Sequence, residues 1–296
     1  MSEIRFLRLS IVFFVIIFSV VSCAPTKEIT IASKQPARIA LVLGAGASKG
    51  FAHIGVLKVL ETNKIPIHMV VGTSAGSFVG SLYAYGYNAF QLQRMALSIE
   101  RGDIVDLTIP DNGFIRGKLL ENYVNKMINN TTLERLRIPF YPVATNIQTG
   151  QEVVFATGNT GTAVRASCSI PGIFRPVKIA GEYYVDGGVV SPVAVDAAKR
   201  LGADIVIAVD ISADIDSDVP DNTIETILKS INIMYSKISG IQIAKADIII
   251  RPKVGHIGSA DFGKRHEAIL EGEKAAIEVL PQIIAIIEKL KSEGRL

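Results

Sequence analysis

Ser74 lies in Gly72-Thr73-Ser74-Ala75-Gly76, a G-x-S-x-G pattern. The apolar run Ile67-His68-Met69-Val70-Val71 before it reads as a buried strand, and Ser77 to Ala84 after it as a helix. A serine on a sharp strand-to-helix turn is the nucleophile-elbow arrangement. Such a turn forces the serine into a rarely populated backbone conformation, and glycines at Gly72 and Gly76 leave room for the adjoining elements. The oxygen then stands near the positive end of the next helix, where a developing anion is stabilised. The plainer alternative is a glycine-rich turn whose serine caps the helix that starts at Ala75.

Two further segments carry polar chemistry. Gly44-Ala45-Gly46-Ala47-Ser48-Lys49-Gly50 lies between a strand and a helix, where small residues let backbone N–H groups approach a ligand. It reads either as an oxyanion hole or as a nucleotide phosphate loop. The nucleotide reading fails in detail. Lys49 stands where a dinucleotide fingerprint needs its third glycine, and Gly50 follows Lys49 where a Walker loop needs Ser or Thr. Asp186 ends a short strand, Tyr183-Tyr184-Val185, and two glycines, Gly187 and Gly188, follow it. It is placed to act as a base or to close an Asx-turn. The order Ser74, then Asp186 or Asp210, then His256 or His266 also fits a Ser–Asp–His hydrolase. His53 and His68 read as packed residues, and His266 as helix surface.

Together the three segments resemble the patatin-like phospholipase family over roughly residues 39–210. Ala45-Gly46-Ala47-Ser48-Lys49-Gly50 is similar to its glycine-rich motif, with alanine replacing glycine at 45 and 47. Gly72–Gly76 is similar to its nucleophile motif, and Asp186-Gly187-Gly188 to its D-G-G/A motif. The stretch from Ala166 to Phe174 also looks like the family's approach to that aspartate. The resemblance implies a patatin-like fold and a Ser–Asp dyad without a catalytic histidine. Ser74 would be the nucleophile and Asp186 the general base, with the N–H groups around Gly46 and Ala47 holding the oxyanion and Lys49 a further anchor. It implies hydrolysis of lipid carboxylic esters, of phospholipase A or lysophospholipase type, with no cofactor and a membrane lipid as substrate. The alternative is a catalytically silent lipoprotein that binds lipid or a partner on the same fold.

These loops need a scaffold. Val- and Ile-rich runs, such as Arg38–Leu43 and Ile205–Val209, alternate with helical segments. That predicts an α/β fold of three layers, with a mostly parallel central sheet and helices on both faces. Thr223–Lys245 and His266–Lys291 read as long helices. The irregular stretch from Arg101 to Arg116 has the character of a lid. Phe78, Leu82 and Tyr83 read first as core and second as the lining of an acyl channel.

The chain has 296 residues and a net charge of +3 without a long Lys/Arg cluster, so no nucleic-acid footprint is present. No His/Cys spacing suits a metal. Residues 1–22 read as a signal peptide: Arg5 and Arg8 precede the apolar stretch Leu9–Val21, too short to span a bilayer easily. Val20-Val21-Ser22-Cys23 resembles a bacterial lipobox, which makes Cys23 the lipidation site, residues 23–37 a membrane tether and residues 38–296 the acyl hydrolase domain. The expected location is the bacterial cell envelope, with the outer membrane preferred because Ala24 replaces a retention Asp. With Cys23 acylated, Cys168 is left as a buried, unbridged thiol.

Overall fold

The computed structural model describes residues 35–109, 112–212 and 219–296. The signal peptide, Cys23 and nearly all of the expected tether lie outside them.

Strand β1 (Ile39–Leu43) is buried along its whole length. Its side chains alternate between two cores, as a strand's period of two requires. Ile39, Leu41 and Leu43 join one core, and Ala40 and Val42 join the other. A sheet apolar on both faces needs helices on both, and the chain supplies them. On the first face pack α1 (Phe51–Thr62), α2 (Ala75–Tyr85) and α9 (Arg265–Ser292), through Leu57, Val79 and Ile283 among others. On the second pack α7 (Val195–Arg200) and α8 (Thr223–Ile243), through Val195, Ala198 and Ile243.

The remaining strands are β2 (Met69–Thr73), β3 (Phe140–Asn146), β4 (Glu152–Val154), β5 (Val177–Ile179), β6 (Glu182–Asp186), β7 (Ile205–Val209) and β8 (Ile248–Ile250). The sheet order is β5-β6-β3-β2-β1-β7-β8, with β4 also paired to β3. The run β3-β2-β1-β7-β8 is parallel throughout. β6, β5 and β4 add an antiparallel flank. The helices α3 (Ala89–Ser98), α4 (Arg101–Ile104), α5 (Lys118–Met127) and α6 (Thr160–Ser167) complete the described α-helices.

The expected three-layer, mostly parallel architecture is the one found. Two local differences bear on the site. β2 runs two residues further than its apolar run, because Gly72 pairs with Leu43 and Pro142 and Thr73 pairs with Val143. Ser74 therefore follows the strand directly. The stretch from Arg101 to Arg116 is not wholly irregular: it contains the short α4 (Arg101–Ile104), and Leu107 and Phe174 each form a bridge to Ile115.

Candidate active site

Ser74 sits between β2 and α2 at φ 53° and ψ −121°. This is a left-handed conformation that costs a non-glycine residue about 1–3 kcal/mol. Its side chain makes no capping bond to α2, so the capping alternative does not describe it. Its carbonyl instead accepts from the N–H groups of Ser77 and Phe78 and from the Ser77 hydroxyl. The turn tolerates nothing larger than glycine at 76, where a Cβ would fall 2.0 Å from the Leu43 carbonyl oxygen.

Residues at the end of α6 hold the turn in place. The Ser167 hydroxyl accepts the Ser74 N–H at 2.9 Å and donates to the Val143 carbonyl at 2.5 Å. The Cys168 thiol donates to the Ser74 carbonyl at 3.2 Å. Burial pushes that thiol's pKa far above its ordinary value, so it stays protonated. The Ser169 carbonyl accepts the Asp186 N–H at 2.8 Å. Three consecutive residues thus fix the serine turn and the aspartate strand to one helix end. The serine motif alone gives no hint of Ser167; only its place before Cys168 in the Ala166–Phe174 stretch marks it.

Asp186 is fully buried at the end of β6. Its Oδ1 accepts the Gly188 N–H at 2.7 Å, so the Asx-turn does form. Oδ2 has no hydrogen bond of complete geometry. Burial raises the pKa of the carboxyl to about 6, against the opposing pull of the Ser74 hydroxyl, the Gly188 N–H and the Tyr235 hydroxyl. A carboxyl tuned close to neutrality can exchange a proton with a hydroxyl beside it.

The glycine-rich loop opens a 3-10 turn, Ala47–Gly50, that runs into α1. Several of its donors are already used. Ala45 N–H binds the Pro192 carbonyl, Ser48 N–H that of Ser259, and Lys49 N–H that of Gly46. Among the described residues, the Gly46 and Ala47 N–H groups go to no backbone carbonyl. Ala47 has φ 51°, a glycine-like conformation that alanine adopts at some cost, whereas Ala45 stays out of that region. Lys49 is buried and Gly44 abuts the Val209 carbonyl, so neither faces solvent.

The histidines take other parts. His53 Nε2 donates to the Gly44 carbonyl at 2.8 Å, and burial lowers its pKa to about 4, so it braces the loop as a neutral ring. His68 Nδ1 accepts the Ile39 N–H. His256 pairs with Glu267 at the surface, His266 is exposed, and Asp210 Oδ1 is occupied by Ser212. No histidine is brought to Ser74 in the manner of a triad.

Ser74 and Ala47 both line a cleft of about 270 Å³, walled by Phe78, Leu82, Met95, Ile115, Phe174 and Leu228. Phe78 and Leu82 line it, while Tyr83 belongs to the core. Residues from the expected lid, including Ile104, Leu107 and Phe114, form part of the wall. Among the described residues, no group of three or more His, Cys, Asp or Glu could hold a metal ion, and no helix is long and apolar enough to cross a membrane.

The family model described as Patatin-like phospholipase matches residues 41–199. Lysophospholipase NTE1 of Pyricularia oryzae is 31% identical over 293 residues, covering 87% of this chain and 19% of the relative. Lysophospholipase NTE1 of Coccidioides immitis is also 31% identical, covering 87% and 18%. The chain thus spans about a fifth of the length of these curated relatives. The crystal structure of VipD from Legionella pneumophila superposes with a TM-score of 0.57 at 14% identity, over 84% of this chain and 67% of that one. That likeness concerns the fold.

Proposed function

The chain belongs to the patatin-like phospholipase family, and from that premise we propose that it is a serine hydrolase of lipid carboxylic esters working through a Ser74–Asp186 dyad. One observation carries the reading: a serine on a strained elbow, lining an apolar cleft, has a buried carboxyl of pKa about 6 for its neighbour. The curated relatives are named lysophospholipases, which supports a lipid ester substrate.

In this mechanism Ser74 Oγ attacks the ester carbonyl carbon while its proton passes to Asp186. The carbonyl oxygen becomes an oxyanion facing the Gly46 and Ala47 N–H groups. Each such donor is worth about 3 kcal/mol in other hydrolases. The intermediate collapses, the C–O bond to the alcohol breaks, and Asp186 returns its proton to the departing oxygen. Water, deprotonated in turn by Asp186, attacks the acyl carbon, and the bond to Ser74 Oγ breaks as Asp186 returns the proton to that oxygen. The apolar walls take up the acyl chain, gaining about 0.8 kcal/mol per buried methylene.

The test is lipid-ester hydrolysis and fluorophosphonate labelling of the protein and of Ser74→Ala. The expected outcome is labelled, active wild type and loss of both properties in the variant. Hydrolysis that survives Ser74→Ala would sink the dyad. A wild type that binds lipid but neither labels nor turns over would establish the silent lipoprotein instead.

A further inference from the structure

Helix α8 supplies none of the three motifs, yet it delivers a phenol to the carboxylate. Its buried residues Ile231, Tyr235, Ser239 and Ile243 recur at every fourth position, along one helix face. The Tyr235 ring lies so close to Gly188 that a Cβ there would fall 2.3 Å from Cζ and 2.8 Å from the hydroxyl oxygen. Gly188 is also the residue whose N–H holds Asp186 Oδ1. Tyr235 is 4% exposed, and its hydroxyl, like Asp186 Oδ2, has no hydrogen bond of complete geometry. A buried donor and a buried acceptor thus meet at the same step of backbone. Leaving both unsatisfied is unfavourable, and joining them removes both penalties.

We propose that Tyr235 is a positioning residue for Asp186: its hydroxyl donates to Oδ2, fixes the carboxylate plane and sets the pH at which the group becomes a base. Oδ1 is committed to Gly188, while Oδ2 has two lone pairs, enough for the Ser74 and Tyr235 hydroxyls together. Tyr235 stays protonated, because burial and the nearby carboxylate hold its own pKa well above the ordinary phenol value. It is therefore a donor throughout and never competes for the Ser74 proton. Among the described residues, the other titratable neighbour is Cys168 at the end of α6, which also remains protonated. When a proton reaches Oδ2 the bond from Tyr235 weakens, which favours passing that proton on to the leaving alcohol.

The effect on rate rests on Asp186 being the base, but the titration of its carboxyl does not. The experiment therefore follows the Asp186 carboxyl by 13C NMR in aspartate-labelled full-length protein, assigned with Asp186→Asn, in wild type and Tyr235→Phe. Loss of a hydrogen bond to a charged group should raise the midpoint by about one pH unit. An unchanged midpoint overturns the proposal, whether or not the protein proves to be a hydrolase. Replacing all tyrosines with 3-fluorotyrosine, a stronger donor, gives a second measurement should Tyr235→Phe disturb the packing of α8. The midpoint should then fall in wild type but hold in Tyr235→Phe protein; equal movement in both also overturns it. In an active enzyme, Tyr235→Phe should shift the acid limb of kcat/KM by the same amount and lower kcat with KM unchanged.

Discussion

At the scale of residues, the proposed base Asp186 would set the pH range in which the site works. An ordinary aspartate is ionised above pH 4 but is a weak base. Burial brings this carboxyl to about 6, where basicity and ionisation are better balanced at neutral pH. The base must be charged to accept a proton, so activity should rise with pH through about 6. A kcat/KM profile for ester hydrolysis checks this. An acid limb near pH 4 would mean that the carboxyl is solvated during turnover, and a limb that survives in a still-active Asp186→Asn would point to another group. Both residues of the proposed dyad stand out in the sequence because glycines flank them. Tyr235 does not, because one polar atom on an otherwise apolar helix stripe looks like core until Gly188 is seen beneath it.

At the scale of elements, the site depends on α6 as much as on the elbow. The Ser167 hydroxyl satisfies the Ser74 N–H and ties it to β3. Ser167→Ala leaves a buried N–H and a buried carbonyl short of a partner. The expected loss is about 1–3 kcal/mol of stability, with kcat reduced and KM retained as the elbow loosens. Thermal melting and steady-state kinetics check the pair. Unchanged kcat in a folded Ser167→Ala protein would show that the elbow holds without its clamp. The strands that place these loops were readable as Val- and Ile-rich runs, since a sheet covered on both faces leaves few positions for polar residues. Of the antiparallel flank, the short strand at Tyr183–Val185 was visible, but its pairing was not. Pairing is fixed by contacts far apart in sequence, such as Ala144 with Asp186.

At the scale of the whole molecule, two buried ionisable groups oppose each other in acid. Unfolded His53 would bind a proton near pH 6.5, whereas the folded ring resists to about 4. Its contribution to stability, present above 6.5, is lost as pH falls towards 4. Asp186 runs the other way: its folded pKa of about 6 exceeds the unfolded 3.8, so its contribution is present below 3.8 and is lost as pH rises through 6. Each amounts to about 3 kcal/mol, and they nearly cancel between pH 6.5 and 4. Asp186→Asn removes one side of this balance. Its melting temperature should drop more steeply than wild type's as pH falls from 6.5 to 4, and parallel slopes would refute the opposition.

The chain begins and ends its fold at one place. Ala37 N–H donates to the Arg295 carbonyl, and Asp204 binds both the Arg38 N–H and the Arg295 guanidinium. All of these precede β1 and β7 or follow α9, at the opposite end of the parallel strands from Gly44 and Ser74. The described fold is therefore tied together at one end of its parallel strands and carries the serine loop at the other. Among the described residues, positions 37 and 295 are thus neighbours, far from the strand ends that carry Gly44 and Ser74.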